Sequence, residues 1–407
     1  MHVLLVSISA PPKNSPESLQ TGRYLKYLSR KHSVTLLTTD PTGGWEPEDQ
    51  SLLKYLKNVH QIISLYSLPS RLISFLKKIK PDVLLPDEGM YFFWQSRTAI
   101  KKIKEKPSII FSRSAPYSSA IMAKKLAKHW NVPWVMHLSD LWVDSPFFTF
   151  SGTTRKKHER LEWECFEQAK IVTLTSQKTI EFYKNKYPQW AHKFRFLPNV
   201  FDGEDWNQMP LNTTGKIRFV FTGRLYGTRN IHRLLDAFEK VAVSFPQVEE
   251  NCEILLAGFF DNENIQRIRR SSLSCVKYLG SLSSDKALQL QQGAHVLISI
   301  DSLESDPRYD LFFPSKLLDY IASNRIIIAL TNKQSTTYDV VEGKFGKCFY
   351  PENMHDLPAE ITALVKDFTN GSFKSLVPNS KEISQFEAAT NTIELEKILL
   401  DTSRAHG

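Results

Sequence analysis

The chain has 407 residues, 42% hydrophobic and 23% charged, and this ordinary composition excludes a disordered, collagen-like or small disulfide-rich protein. At roughly 150 residues per domain the length predicts two or three domains, and no apolar run approaches the roughly 18 residues needed to cross a bilayer. The net charge of +9 is uneven: residues 1–200 hold 30 Lys and Arg against 16 Asp and Glu (+14), and residues 201–407 hold 22 against 27 (−5). Such asymmetry predicts an anionic partner for the first half, with nucleic acid, an anionic lipid surface and a phosphate-bearing acceptor as candidates.

Strands and helices alternate through the first half. The run HVLLVSIS (residues 2–9) is predicted to be a buried strand and not a signal peptide, because no basic segment precedes it and two prolines follow. A helix is predicted over residues 18–32 and a strand over 33–39. Further predicted strands are PDVLLP, SIIFSRS, WVMHLS and IVTLTS, with helices over 118–130 and 155–170. This alternation indicates an open parallel sheet covered by helices on both sides.

A break near residues 197–216 is rich in Pro, Asn, Asp, Gly and Thr, which is typical of a connector. After it come the strand KIRFVFTG, the helix IHRLLDAFEKVAVSF and the strands EILLAG, VKYLG, HVLISI and RIIIALT. The predicted fold class is therefore α/β, with two doubly wound Rossmann-like domains facing across a cleft. The predicted divisions are an N-terminal domain over 1–200, a linker over 201–215, a C-terminal domain over 216–375, and a segment over 376–407 whose helix returns to the N-terminal domain.

The cysteines are few and scattered. None of them forms a CxxC pair, so neither a zinc site nor a disulfide framework is predicted. Four reduced thiols in a cytoplasmic protein is the simplest interpretation. They are Cys165, Cys252, Cys275 and Cys348.

Open parallel sheets bind ligands at the carboxyl ends of their strands, so the loops that follow strands are the places to look for chemistry. The loop TGRLYGTRN (222–230) contains two glycines, Gly223 and Gly227, and carries Arg224 and Arg229, the second of them next to the start of a helix. A cation beside a helix N-terminus is unfavourable by about 0.3–1 kcal/mol, unless a bound polyphosphate reverses the balance. The alternative is two solvated arginines in a surface turn. The loop is not a GxGxxG fingerprint, so a nicotinamide cofactor is not indicated.

The segment DPRYDLFFPSKLLDYIASNRIIIALT (306–331) predicts a second anion site. Pro314 suits the first turn of a helix, and Ser315, Lys316 and Leu317 would then present free backbone N–H groups. Asp319 lies one turn further along the same helical face, where a carboxylate accepts both hydroxyls of a ribose. A solvated surface lysine is the alternative for Lys316.

The loop of WVMHLSDLWVDSP (134–146) offers His137, Asp140 and Asp144 from the first half. His137 and Asp140 are candidates for contact with a reacting sugar or an acceptor hydroxyl, although a lone histidine beside an apolar strand is more often structural. No GxSxG or HExxH motif is present, so serine hydrolysis and zinc proteolysis have no support.

Taken together, GRLYGTRN, YLGSLSSDKALQL, FPSKLLDYIASNRIIIA and LPNVFDGEDW resemble the retaining GT-B glycosyltransferases of glycosyltransferase family 4. The stretch SIIFSRSAPYSSAIMAKKLAKHWNVPWVMHLSDLWVDS is similar to the subset that builds bacterial capsule and lipopolysaccharide chains. The resemblance covers about residues 1–370 and is strongest in the second half.

The resemblance implies roles for residues of the second half. Arg224 matches the arginine that binds the donor diphosphate, and Arg229 matches its usual lysine partner. The segment Ser315, Lys316 and Leu317 matches the phosphate cradle. Asp319 stands where the family usually has the glutamate that holds the ribose, and Leu311 occupies the place of the other glutamate, for which Asp310 or Asp306 is a substitute.

In the first half, His137 matches a position where some members place a histidine near the reacting sugar, and Asp140 belongs to the DLW segment. The resemblance implies that His137, Asp140, Arg224 and Arg229 are the catalytic residues. It further implies a nucleotide-sugar donor, with UDP slightly preferred, transfer with retention, and no metal or other cofactor. The first loop departs from the pattern, because PPKNSPES stands where members often have two glycines.

The expected acceptor is a saccharide or a polyprenyl-linked sugar, and the expected location is cytoplasmic, peripheral at the inner face of the membrane. Basic clusters at 77–78, 101–104 and 155–157, with aromatic residues at 91–94 and 147–150, are candidates for contact with anionic lipid. The alternatives are a GT-B protein that binds a nucleotide sugar without transfer, or an epimerase-like enzyme. A nucleic-acid partner is supported by net charge alone and is not predicted.

Overall fold

The computed structural model describes residues 1–42, 46–79, 81–148, 150–206, 210–373 and 380–406. The chain divides into two compact units, unit 1 (Met1–Asp202 with Phe386–Gly407) and unit 2 (Gly203–Gln385). The predicted boundary at 375 and part of the predicted linker, residues 207–209, lie outside the described residues.

Unit 1 contains one parallel sheet, whose strands among the described residues run in the order β3-β2-β1-β4-β5-β6-β7. The strands are β1 (His2–Val6), β2 (Ser33–Thr39), β3 (Gln61–Leu65), β4 (Ile109–Ser114), β5 (Trp134–Leu138), β6 (Ile171–Leu174) and β7 (Phe194–Phe196). The first helices are α1 (Pro16–Lys31), α2 (Ser70–Ile79), α3 (Met90–Trp94), α4 (Ser96–Lys102), α5 (Ser118–Trp130), α6 (Gly152–Gln168) and α7 (Gln177–Lys186). Short 3-10 helices occupy Gln50–Leu56, Pro81–Leu84 and Pro188–Lys193.

Unit 2 contains a second parallel sheet, in the order β10-β9-β8-β11-β12-β13 over its described residues. Its strands are β8 (Ile217–Leu225), β9 (Cys252–Phe260), β10 (Val276–Tyr278), β11 (Val296–Ile300), β12 (Ile326–Leu330) and β13 (Gly346–Phe349). Its helices are α8 (His232–Ser244), α9 (Val248–Asn251), α10 (Asn262–Arg269), α11 (Ser284–Gln292), α12 (Lys316–Ala322), α13 (Thr336–Val341), α14 (Leu357–Thr369) and α15 (Ser380–Ser384). Its 3-10 helices are Gly203–Asp205, Pro307–Leu311 and Met354–Asp356.

The last helix, α16 (Ala388–Arg404), belongs to unit 1 and lies against α1. Leu395 and Leu399 are fully buried in the same apolar cluster as Leu28 of α1. The Lys31 ammonium lies 2.9 Å from the Glu396 carboxylate at the edge of this contact. Burial of leucines, at about 1.5–3 kcal/mol for each side chain, holds α16 to α1 far more strongly than the exposed ion pair does.

One short segment was assigned wrongly from the sequence, and three short strands were not predicted. PDVLLP was predicted to be a strand, but the structure forms the 3-10 helix Pro81–Leu84 there. Proline has no N–H for a strand ladder, and the segment begins and ends with one, Pro81 and Pro86. The strands β3, β7 and β13 were not predicted, because they are short and contain polar residues.

The strand orders locate the places where ligands bind. In unit 1 the order reverses between β1 and β4, and in unit 2 it reverses between β8 and β11. At such a switch point the connections leave in opposite directions and open a crevice beyond the carboxyl ends of the strands.

Among the described residues, no helix has the length and apolarity that a bilayer crossing requires.

Candidate functional site

Two glycines shape the carboxyl edge of β8 and β9 in unit 2. Gly223 and Gly258 have φ angles of +138° and +128°, which L side chains rarely adopt. A Cβ on Gly258 would lie 1.8 Å from the Gly223 carbonyl oxygen, and a Cβ on Gly223 would lie 3.2 Å from Cδ of Lys316. The absence of side chains at both positions lets the two backbones approach and leaves room for Lys316 alongside them.

Gly258→Ala should therefore be strongly destabilising. We expect the free energy of unfolding to fall by about 3 kcal/mol or more, because steric overlap of about 1–3 kcal/mol adds to backbone strain of about 1–2 kcal/mol. Gly227→Ala is the matched control, since its φ is also positive (+59°) but no atom lies within 4 Å of the added Cβ. Urea denaturation measures both variants, and an equal loss in the two would contradict the close approach at Gly258.

Lys316 is the first residue of α12, and its ammonium lies 3.9 Å from the ring centroid of Phe221 on β8. Burial lowers the pKa of Lys316 to about 7; the Asp301 carboxylate opposes this change and the Arg229 guanidinium adds to it. Near neutral pH the side chain is therefore close to half-protonated. An anion bound beside it would favour the charged form.

The loop after β8 places the two predicted arginines. Arg224 is exposed and directly follows Gly223, whereas Arg229 is half-buried and lies near enough to Lys316 to shift its pKa. The Asn264 side chain fixes the loop: its Oδ1 accepts from the N–H of Ile231 at 2.8 Å, and its Nδ2 donates to the carbonyl of Arg229 at 3.4 Å. Three cationic side chains thus belong to one edge of the unit 2 sheet.

The start of α12 differs from the prediction. The helix begins at Lys316, two residues later than Pro314, with Ser315 as the residue that precedes it. The prediction of a free N–H at Leu317 is wrong, because that group donates to the carbonyl of Pro314 at 3.0 Å in a tight i, i+3 turn. Tyr320 ties the helix to β8: its hydroxyl accepts from the N–H of Thr222 at 2.8 Å and donates to the Thr222 carbonyl at 3.2 Å.

The acidic candidates of unit 2 lie in different environments. Asp319 is buried, with 6% of its surface exposed. Asp310 lies in a 3-10 helix and accepts from the Asn332 amide at 3.0 Å. Sequence reasoning missed Asp301, which directly follows β11 and accepts from the Thr331 hydroxyl at 2.8 Å. Its place at the end of a strand beside the switch point was the signal that would have found it.

In unit 1, His137 is completely buried on β5, and its Nδ1 lies 2.9 Å from the hydroxyl of Thr173. Burial, and secondarily the Arg113 guanidinium, hold the pKa of His137 well below its usual value, so its imidazole is neutral at pH 7. Asp140 is exposed in the following loop. The role of both residues beside a sugar stays a prediction. Asp144 has a structural role, since it pairs with Arg155 at 2.7 Å and Lys186 at 2.6 Å.

Solved structures of known proteins are similar to this chain, among them the following three. HepE of Anabaena, solved in complex with UDP and glucose, matches with a TM-score of 0.68 and 16% identity over 98% of this chain and 100% of that one. The lipopolysaccharide outer core galactosyltransferase WaaB matches with a TM-score of 0.57 and 13% identity over 98% and 99%. The UDP-GlcNAc 2-epimerase of Methanocaldococcus jannaschii matches with a TM-score of 0.59 and 10% identity over 98% and 99%.

No protein-family model matches the chain, and no curated protein sequence matches it either. At 10–16% identity the similarity of the solved structures shows the fold. The predicted fold class, two doubly wound Rossmann-like domains of the GT-B type, is confirmed by the two parallel sheets and by these neighbours.

Proposed function

We propose that the protein is a glycosyltransferase that moves a sugar from a nucleoside-diphosphate donor to a saccharide or lipid-linked acceptor. The observation that carries the proposal is the set of Arg224, Arg229 and Lys316 at the carboxyl edge of the unit 2 sheet, where α/β folds bind phosphates. The GT-B fold supports it, since HepE with this fold holds UDP.

The proposed mechanism follows from the charge that develops during transfer. The bond from the anomeric carbon to the donor phosphate breaks, the acceptor oxygen forms the new bond, and the acceptor proton passes to the leaving diphosphate. Arg224, Arg229 and Lys316 stabilise the negative charge that grows on that diphosphate. We propose transfer with retention, as in glycosyltransferase family 4, and no metal, so EDTA should leave UDP affinity unchanged.

The remaining donor contacts are proposed on the same edge. Asp319 is the candidate for the ribose hydroxyls and Asp310 a second carboxylate for the donor, with UDP as the preferred nucleotide. The test is incubation of the protein with UDP-glucose, UDP-galactose and UDP-N-acetylglucosamine while free UDP is measured by chromatography. Release of UDP that is lost in Arg224→Ala supports glycosyl transfer to water or acceptor.

An epimerase-like activity is the second candidate, because a 2-epimerase shares the fold. The same incubation separates the two functions. An epimerase converts one nucleotide sugar into another, whereas a transferase gives free UDP and a free or transferred sugar. Binding of the nucleotide sugar with neither product would indicate a protein that binds without transfer.

We propose further that the acceptor belongs to bacterial surface polysaccharide synthesis and that unit 1 contacts an anionic membrane from the cytoplasmic side. The contact surface is the exposed face of α2, defined by Leu72, Phe75 and Ile79, which are 42%, 56% and 66% exposed. The basic side chains of Arg71, Lys77 and Lys78 are exposed on the same helix. An amphipathic helix with apolar and basic residues outward is suited to an anionic lipid interface.

The aromatic anchors suggested by the sequence are only partly available. Tyr91 and Phe92 are buried core residues, with 3% and 0% of their surface exposed, whereas Trp94 and Phe148 are exposed. The suggestion that Tyr91 and Phe92 touch lipid is therefore wrong. Tyr91 and Phe92 are adjacent residues of the five-residue helix α3, and both belong to its buried side.

Substitution of Leu72, Phe75 and Ile79 together by serine should weaken binding to vesicles of equal parts phosphatidylglycerol and phosphatidylethanolamine. We expect a loss of at least about tenfold, because partial insertion of three apolar side chains exceeds the 1.4 kcal/mol that tenfold represents. Val243→Ser and Ile393→Ser are matched controls, since both residues are exposed apolar side chains outside α2. Sedimentation with vesicles measures the effect, and equal binding by the triple variant and the controls would contradict the assignment.

A further inference from the structure

A second polar site lies at the switch point of unit 1, between β1 and β4. Arg113, the penultimate residue of β4, is completely buried beneath α1. Its Nε donates to Oε1 of Glu17 at 2.9 Å, and its guanidinium lies 5.3 Å from the ring centroid of Tyr24. Glu17 and Tyr24 are seven residues apart on α1, so one face of that helix covers the arginine.

Several buried polar atoms on α1, β4 and β5 have no hydrogen-bond partner among the described residues. They are Nη1 and Nη2 of Arg113, Nε2 of His137, and the hydroxyls of Ser18 and Thr21. His137 is the register partner of Arg113 on β5, and Thr21 lies between Glu17 and Tyr24 on the covering face of α1. Arg113 and His137 therefore lie side by side on the sheet, beneath the face of α1 that carries Glu17 and Tyr24.

A buried polar atom without a partner is unfavourable, and native proteins supply one from protein, water or ligand. Here the atoms are of mixed kind. The guanidinium can only donate hydrogen bonds, whereas the two hydroxyls can both donate and accept them. The Thr173 hydroxyl donates to the Met136 carbonyl at 3.4 Å, so it accepts from Nδ1 of His137. Nε2 of His137 then carries no proton and is an acceptor. Partners that both donate and accept, such as water or sugar hydroxyls, satisfy this set.

The charges of the site favour a neutral partner over an anion. Arg113 is balanced by Glu17, and the Glu46 carboxylate has the buried Lys13 ammonium as a neighbour. Burial, and to a smaller extent Glu46, raise the pKa of Glu17. An incoming anion would be repelled by both carboxylates. A neutral ligand rich in hydroxyls meets no such repulsion.

Glu17 is the open end of the site. Its side chain is 12% exposed, and its second oxygen, Oε2, accepts a hydrogen bond from the hydroxyl of Ser139, which is also partly exposed in the loop after β5. The carboxylate is thus fixed by Arg113 through Oε1 and by Ser139 through Oε2. Each oxygen of a carboxylate can accept a further hydrogen bond.

We infer that Glu17 and Ser139 form a subsite in unit 1 that binds hydroxyl groups of a neutral saccharide, and that Arg113 is a positioning residue that holds the Glu17 carboxylate. This assignment rests on the proposed function, in which the saccharide is the acceptor. It assigns two binding residues and one positioning residue to which the sequence analysis gave no role.

Saturation-transfer NMR tests the subsite with three probes: the methyl glycosides of glucose, galactose and N-acetylglucosamine, each with UDP present. The wild-type protein should give a signal with at least one glycoside. Glu17→Gln should weaken the binding of that glycoside by about tenfold or more, because a charge-assisted hydrogen bond is lost. Glu181→Gln is the control, because Glu181 is an exposed carboxylate on α7 of the same unit.

The positioning role of Arg113 has its own readout. Arg113→Met should weaken glycoside binding as Glu17→Gln does, and Arg113→Lys should recover part of it because the charge is kept. If Arg113→Met does not fold, the comparison of Arg113→Lys with the wild type tests the positioning role. Ser139→Ala then tests the binding role of the hydroxyl that donates a hydrogen bond to Glu17. In every folded variant the thermal shift produced by UDP should equal that of the wild type.

No signal from any of the three glycosides with the wild-type protein would overturn the assignment, and so would equal binding by Glu17→Gln and Glu181→Gln. The donor site fails separately: a wild-type protein that UDP does not stabilise contradicts the proposed function, whereas the glycoside measurements still report on Glu17. A site filled by water alone is recognised as the case in which no glycoside binds.

Discussion

Arg224→Ala should weaken the binding of UDP by about 10- to 100-fold, which corresponds to the 1.5–3 kcal/mol of a hydrogen bond between charged groups. Arg224 is exposed at the carboxyl end of β8, so its loss leaves the unit 2 core unchanged. Isothermal titration calorimetry with UDP measures the change. The effect should appear in the affinity, with no change in the melting temperature of the ligand-free protein.

Arg218→Ala is the matched control for this experiment. Arg218 lies near the opposite end of the same strand, with its side chain 3.2 Å from the Glu253 carboxylate. An exposed ion pair of this kind contributes about 0–1 kcal/mol to stability, and it lies at the amino end of the sheet. If Arg218→Ala weakens UDP as much as Arg224→Ala, the carboxyl edge is not where the diphosphate binds.

The second large effect concerns the pH dependence of UDP binding. The pKa of Lys316 is about 7 in the ligand-free protein, because burial disfavours its charge. A bound diphosphate favours the charged form, so the pKa rises in the complex and binding takes up a proton above pH 7. The affinity for UDP should therefore fall as the pH rises from 7 to 9, by up to about tenfold for each unit.

Calorimetry between pH 7 and 9 tests this expectation. Lys316→Met should bind UDP weakly and without pH dependence in that range, whereas Lys316→Arg should keep its affinity because arginine stays charged. Lys347→Met is the control, since Lys347 lies on β13 and pairs with Glu360 at the surface. A wild-type affinity that stays constant from pH 7 to 9 would show that Lys316 does not contact the phosphates.

The sequence predicted the parts of the fold that depend on continuous patterns. Apolar runs such as HVLLVSIS and KIRFVFTG became β1 and β8, because a strand that is buried on both faces has no polar side to show. The same reasoning found Arg224 and Arg229, since parallel sheets bring the loops after their strands to one edge. PDVLLP has the same apolar character, but its prolines prevent strand pairing and the segment forms a 3-10 helix.

Contacts between residues that are far apart in the chain could not be predicted from the sequence. Glu17 and Arg113 are 96 positions apart, and nothing in either segment indicates that they form a buried ion pair. Lys316 looked like either a phosphate ligand or a surface lysine, and its position over Phe221 with a lowered pKa depends on the close approach at Gly223. Such features depend on how the helices pack on the sheet, and no local sequence pattern indicates that packing.

The most direct measurement is the thermal stability of the wild-type protein with UDP, GDP, ADP and CMP and the matching sugar nucleotides. A nucleotide at 100 times its dissociation constant should stabilise the protein by about 2.7 kcal/mol, enough for a clear shift in melting temperature. We predict such a shift with UDP and UDP-linked sugars, and its loss in Arg224→Ala. A protein that none of these nucleotides stabilises would contradict the donor site at Arg224, Arg229 and Lys316, and the proposed glycosyl transfer with it.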